Sequence, residues 1–263
     1  MINSRIITIN SSNRDTGTNS NFTYSYPLLT EEYDHCVLLS ATIPISFYLI
    51  QDGQNYFTLK EGSQEVLITV PAGNYNINSF KIVLSNLLTN NSPNSIVYNM
   101  LINNAFTQVD DGKFTYTISN NGFIQPEFIF TKYLTEQTGF NRNTTYQFNN
   151  ILKSVNVINF IPEQSIFIKS NLVETSNNSK PTLQTIYSSN EKPYSIIKYE
   201  CQDYLANSKK LSNIGRNYFN ISLEDENGYE LFLNGRNWLA SILFFKKDLL
   251  HREYYKYKIL NEK

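Results

Sequence analysis

Two periods organise this chain, and turn residues separate them. "RIITI" (5–9) and "NFTYSYP" (21–27) alternate, and the second puts Phe22, Tyr24 and Tyr26 on one face with Thr23 and Ser25 on the other. Asn13, Asp15, Gly17 and Asn19 lie between these runs, which predicts two strands or arms joined by an ordered loop. "HCVLLSATIPISFYLI" (35–50) is almost continuously apolar, and Pro44 breaks it into a buried strand, a bend and a second extended piece. "NYFTLKEG" and "EVLITVP" follow, the latter with Val66, Ile68 and Val70 in period two and Pro71 and Gly73 at its close. The period then changes. Ile77, Phe80, Val83, Leu84, Leu87 and Leu88 recur at helical spacing, with Asn76 or Asn78 as the N-cap and Asn-Asn-Ser-Pro at 90–93 as the stop.

Strand periodicity returns afterwards. "AFTQVDDGKFTYTI" predicts a hairpin turning at Asp111-Gly112, with Phe114, Tyr116 and Ile118 sharing a face. "FIQPEFIF" is extended, and "YLTEQTGF" reads as a short helix ended by Gly139. "VNVINFI" and "SIFIKSNL" predict further strands, "ETSNNSKP" an exposed loop, and "ISLEDENGYELFL" a second hairpin at Asn227-Gly228. The run from Trp238 to Phe245 is apolar on both faces, so it belongs in the middle of a sheet. No fixed-period repeat or linker divides the chain. Strands, one helix and more strands predict an all-β sandwich or jelly roll with a helical excursion at 76–90.

Composition supports that picture. Aromatic residues make up 14% of the 263 positions, while charged residues fall to 17%, below the roughly 25% of an average globular chain. Aromatic side chains suit pleated surfaces, and the abundant Asn and Ser suit turns. The formal net charge of −1 gives no global attraction to nucleic acid or anionic lipid. "MINSRIITIN" has no apolar signal core, and the longest apolar runs are far shorter than a membrane span, so a cytosolic origin is expected. The sequons at Asn21, Asn143 and Asn220 are then chance products of an Asn-rich chain. Cys36 and Cys201 are expected as two reduced, buried thiols.

Candidate chemistry is sparse. His35 and His251 lie far apart with no His-x-His pair, so they form no metal set. Cys36 follows His35 directly, and strand neighbours face opposite ways, so the pair is no catalytic dyad. Glu224, Asp225 and Glu226 could divide acid and base roles, but their place before the Asn-Gly turn predicts solvated charge. The tail "KKDLLHREYYKYKILNEK" interleaves Lys246, Lys247, Arg252, Lys256 and Lys258 with Tyr254, Tyr255 and Tyr257. It is read as an ordered terminal element with a solvated face in preference to a nucleic-acid arm. No enzymatic activity, cofactor or metal is expected.

The motifs nevertheless have a telling order. "INSSNRDTGTNSNFTYSYP", "LLSATIPISFYLI", "VPAGNYNINSFKIVLSNLL", "QTGF", "SIFIKSNL" and "ISLEDENGYELFLNGRNWLASILFF" together resemble penton proteins, the minor capsid proteins of virophages, Polinton-like viruses and related large double-stranded DNA viruses. The resemblance runs from Ile2 to about Phe245, and the Asn-Arg-Asp segment is similar to the signature before the first jelly-roll strand in that family. It implies a single jelly-roll β-sandwich with enlarged loops and one or two short helices: one domain over 1–263, with an N-terminal arm over 1–20 and a C-terminal tail over 246–263. It further implies a homopentamer at the fivefold vertices of a virion capsid assembled inside the host cell. Its partners would be a double jelly-roll major capsid protein and other minor capsid or vertex proteins, with no membrane span and no sequence-specific nucleic acid. Asn13, Arg14, Asp15, Lys246, Lys247, Arg252 and Lys256 are the expected assembly contacts. A glycan- or receptor-binding jelly-roll module at a virion vertex or fibre is the alternative function.

Overall fold

Alternation along the N-terminal quarter is realised as β1 (Ser4–Asn10), β2 (Thr16–Gly17), β3 (Asn21–Ser25) and β4 (His35–Pro44). The computed structural model describes residues 4–26, 33–102, 110–119, 122, 124–161, 165–174, 181–188, 192–212 and 217–247. Beyond β4 the chain builds β5 (Tyr56–Glu61), β6 (Gln64–Thr69), α1 (Ile77–Asn90), β7 (Val97–Leu101), β8 (Thr115–Ser119), β9 (Pro126–Phe130), α2 (Thr135–Thr138), β10 (Thr144–Gln147) and β11 (Ile151–Lys153). It ends in β12 (Ser165–Ser170), β13 (Thr182–Tyr187), β14 (Ile196–Glu200), β15 (Lys209–Lys210), β16 (Tyr218–Glu224) and β17 (Leu239–Phe245).

These elements divide into two compact units, Met1–Phe47 with Glu163–Lys263, and the inserted Tyr48–Pro162. This differs from the single domain expected from the sequence, for a local reason. The apolar run that starts in β4 continues past Pro44 with no change of composition, yet Ile43, Ile45 and Phe47 enter one core and Ile50 enters another.

The first unit is all-β and antiparallel. One sheet has the order β1-β17-β4-β14, with β15 also on β4, and the other the order β13-β12-β16-β3-β2. If its eight longest strands are counted in chain order, these sheets read first-eighth-third-sixth and second-seventh-fourth-fifth, the strand order of a jelly roll. Both sheets feed one core, which includes Ile9, Phe22, Leu38, Ile168, Leu223, Trp238, Ile242 and Phe244. β17 is central, as its sequence requires: Ala240, Ile242 and Phe244 enter that core, while Phe245 packs with Val37, Leu205 and Cys201 in a second cluster. The register of β4 on β17 slips between Ser241 and Ile242, so the inward positions run Cys36, Leu38, then Ala41, Ile43. That bulge reconciles a nearly continuous apolar stretch with a two-residue period.

The inserted unit has sheets β10-β9-β5-β6 and β11-β8-β7 around its own core, rich in stacked and edge-on rings such as Phe57, Phe128, Phe130 and Phe140. α1 begins where expected: Asn76 Oδ1 accepts the Ser79 N–H at 2.9 Å, and the Ser79 hydroxyl in turn accepts the Asn76 N–H. Its buried face carries Phe80, Leu84 and Leu88.

Two expectations are corrected in this unit. Asp111-Gly112 does not close a hairpin onto β8, whose two edges are filled by β7 and β11, and the predicted first arm at 105–109 lies outside the described residues. "VNVINFI" is not a strand either; the Asn156 and Asn159 N–H groups donate to Gly139 and Glu136 at α2, and the Ile158 N–H donates to Gly112, instead of to one neighbouring strand.

Glu61, at the end of β5, is 1% exposed and held by neutral donors alone. The Tyr98 hydroxyl donates to it at 2.7 Å, the Ser92 hydroxyl at 2.8 Å and the Asn94 N–H at 2.9 Å. Burial first, and then this carboxylate, push the Tyr98 phenol well above its ordinary range. Glu61→Ala leaves the buried Tyr98 hydroxyl without its acceptor and takes a second one from Ser92 and Asn94, so we expect a loss of about 3 kcal/mol in the stability of the inserted unit. Amide hydrogen exchange in β5 and β7 would read it, and a loss below about 1 kcal/mol would contradict this account.

Candidate functional site

The polar segment after β1 is fastened to residues 230–238 far along the chain. Asn10 Oδ1 caps a short 3-10 turn over Ser11–Asn13 by accepting the Ser12 N–H. Buried Ser11 then exchanges bonds with the far end: its N–H donates to the Trp238 carbonyl at 3.0 Å, and its hydroxyl accepts the Trp238 N–H at 2.9 Å. The Trp238 indole N–H donates to the Asn19 carbonyl at 2.9 Å, and the Asn19 amide donates to the Arg236 carbonyl at 2.9 Å. Trp238 is 1% exposed and meets Phe22 edge-on, so its single polar hydrogen needs this partner.

Glu230 anchors the other side of the segment. It accepts bonds from the hydroxyls of Thr18 and Ser20 and from the Asn21 amide. Gly17 pairs with Phe22 at φ +100°, where a Cβ would lie 2.2 Å from the Asn21 carbonyl oxygen, so only glycine fits.

Among the expected contact residues, Arg14 is half-buried and turned onto its own loop. Its guanidinium donates to the Ser11 carbonyl at 2.9 Å and the Gly17 carbonyl at 3.1 Å. Asn13 and Asp15 are exposed beside it. At the other terminus Lys246 is exposed, while the Lys247 N–H donates to Asp34 Oδ1 at 2.9 Å. Arg252 and Lys256, like His251, lie outside the described residues.

The acidic triplet is corrected in two of its three members. Glu226 is exposed, but Glu224 and Asp225 are 3% and 5% exposed. Glu224 faces Lys169 Nζ at 2.8 Å and accepts the Ser222 hydroxyl; Asp225 accepts the N–H groups of Asn227 and Tyr229. The hairpin itself is present, with three residues between Asp225 and Tyr229 and Gly228 at φ +78°. Sequence alone read charge beside a turn; the burial comes from Lys169, which arrives on β12.

Both cysteines are free. Cys36 is buried as expected and its thiol is pushed up to about 12 by burial, whereas Cys201 is only half-buried. Among the described residues no three His, Cys, Asp or Glu side chains group as metal ligands, and no helix is long and apolar enough to cross a membrane. The signals that could have pointed to the fastening were the lone Trp and the short polar residues that its indole and Glu230 require. They are paired only in space.

No protein-family model matches the chain, and no curated protein matches it in sequence. Among solved structures it is similar to the mavirus penton protein, with 12% identity and a TM-score of 0.42 over 91% of this chain and 99% of that one. It is also similar to a chain of the Sputnik virophage structure, with 12% identity and a TM-score of 0.39 over 94% of this chain and 98% of that one.

Asp34 supplies a pH test of how the C-terminal segment is held. Partial burial works to raise its pKa, but the bonds from the His35 ring and the Lys247 amide outweigh it, so the carboxyl sits below its ordinary 3.8. A depressed carboxyl stabilises the fold above its ordinary range and loses that contribution as pH falls through the lowered value. Protection of the Lys247 amide from exchange is therefore expected to collapse as pH falls below the ordinary 3.8 of a carboxyl, and Asp34→Asn should flatten that dependence. An unchanged profile in the variant would remove Asp34 from this role.

Proposed function

We propose that this chain is a structural capsid protein of the penton type, assembling as a pentamer that closes the fivefold vertices of an icosahedral shell. One observation carries the reading: four of the six stretches that resemble penton proteins fall on the unit that forms the jelly roll, and three of them cover the elements that close it. "INSSNRDTGTNSNFTYSYP" covers the end of β1, the fastened loop and β3; "LLSATIPISFYLI" covers the second part of β4 and runs on past it; and the long C-terminal stretch runs from the end of β16 through the 225–229 turn to the end of β17. Jelly rolls serve capsids, lectins and cupins alike, so the motif order and the fastened loop support the reading more than the fold does.

A closed ring needs two different patches on each subunit, one meeting the other on its neighbour. β1 offers one, since among the described residues it pairs only with β17 and leaves an open edge that runs directly into the loop. Asn13 and Asp15 extend that edge with side chains that face solvent. Lys246 and the segment after it would meet the double jelly-roll major capsid protein or other vertex proteins.

Light scattering over a range of concentrations is expected to give five times 30.5 kDa. A monomer at every concentration, both alone and with the major capsid protein, would refute the pentamer. Within the loop, Asn13→Ala and Asp15→Ala should weaken the ring while shifting subunit stability by no more than about 0.5 kcal/mol. Arg14→Ala should lower subunit stability as well, because it frees two carbonyls. If all three variants left the ring intact, the loop would be no part of its interface.

A further inference from the structure

The outer face of the β13-β12-β16-β3-β2 sheet carries a cavity of about 220 Å3 that the capsid reading does not use. Asn21, Lys169, Asn171, Pro181, Asn220 and Ser222 are among its lining residues. Cross-strand neighbours make the floor, with Lys169 opposite Ser222 and Ser222 opposite Asn21. Side chains in such a row are about 5 Å apart, the spacing of hydroxyls across a sugar ring.

Each amide in the cavity is oriented by a bond that occupies one of its two ends. Asn220 Oδ1 accepts the Thr23 hydroxyl at 2.9 Å, and Asn171 Oδ1 accepts the Asn220 N–H at 2.9 Å. Both are left with an NH2 that has no protein partner among the described residues. Asn21 is fixed the other way round: its NH2 donates to Glu230 at 3.3 Å, and its carbonyl oxygen remains to accept. The cavity therefore presents two fixed donors and one fixed acceptor.

Charge narrows the ligand class. Lys169 is the cation in the lining, and its ammonium lies 2.8 Å from the buried Glu224 carboxylate, which neutralises it. Glu230 stands behind Asn21, so an anion would meet no net positive field. A hydroxyl, which both donates and accepts, can serve either kind of amide end.

We propose that this cavity binds a neutral polyhydroxylated ligand of the size of one pyranose ring, either a free sugar or the terminal residue of a glycan. The proposal does not rest on the capsid reading, and it holds for a pentamer or a monomer. Small size and neutral hydrogen bonds set dissociation constants of about 1–10 mM.

The full-length protein is titrated with glucose, galactose, mannose, N-acetylglucosamine and their methyl glycosides, with inorganic phosphate alongside, and saturation-transfer NMR reads binding. Binding of a methyl glycoside assigns the site to a glycan terminus; binding of the free sugar alone assigns it to a free sugar. Asn171→Asp and Asn220→Asp keep the oxygen that makes the internal bond and replace the donor with a carboxylate oxygen. Each is expected to weaken binding about tenfold while the melting temperature stays close to wild type. No signal from any sugar, binding of phosphate instead, or sugar binding unchanged in both variants would each overturn the proposal.

Discussion

The pairing of β1 with β17 is the constraint on which the first unit depends. It sets Ser4 opposite Phe245 and Asn10 opposite Leu239, joining the two ends of the described chain in one seven-residue register. The polar loop continues that junction, since Ser11 and Trp238 exchange bonds across 227 positions of sequence. Without it β17 would lose one neighbour, Trp238 its indole partner, and Glu230 the hydroxyls that satisfy it. An insertion of more than a hundred residues is compatible with such a junction because closure entropy rises only slowly with loop length.

Three carboxylates of the molecule are held largely by neutral donors. Glu61 is buried among neutral donors, Glu230 is held by hydroxyls and an amide, and Glu224 alone among these carboxylates is paired with a cation. Short Ser, Thr and Asn side chains supply most of these bonds. A chain poor in charge and rich in such residues can thus place carboxylates inside a strand framework, since both oxygens of Glu61 and of Glu224 find fixed donors.

Much of this was legible in the sequence because the signal was local. α1, its Asn76 cap, the 225–229 hairpin and the central place of β17 follow from periodicity and turn chemistry within a few residues. The errors arose where a distant strand decides. Asp111-Gly112 carries a strong turn signal, yet β7 and β11 had already taken both edges of β8. Glu224 sits beside a turn in sequence, and Lys169 on another strand draws it inside. The boundary of the insertion was hidden because one apolar run serves two cores, and no change of composition marks the crossing.

The order of synthesis gives the β1–β17 pairing a further meaning. β1 leaves the ribosome long before β17, so at ordinary elongation rates it waits on the order of ten to fifty seconds for that neighbour. During that time its backbone groups are open on both sides. Its length and make-up suit the wait: seven residues with Ser4, Arg5, Thr8 and Asn10 among the apolar positions form a poor template for self-association. Nascent chains on one message therefore stay separate until each can close on itself.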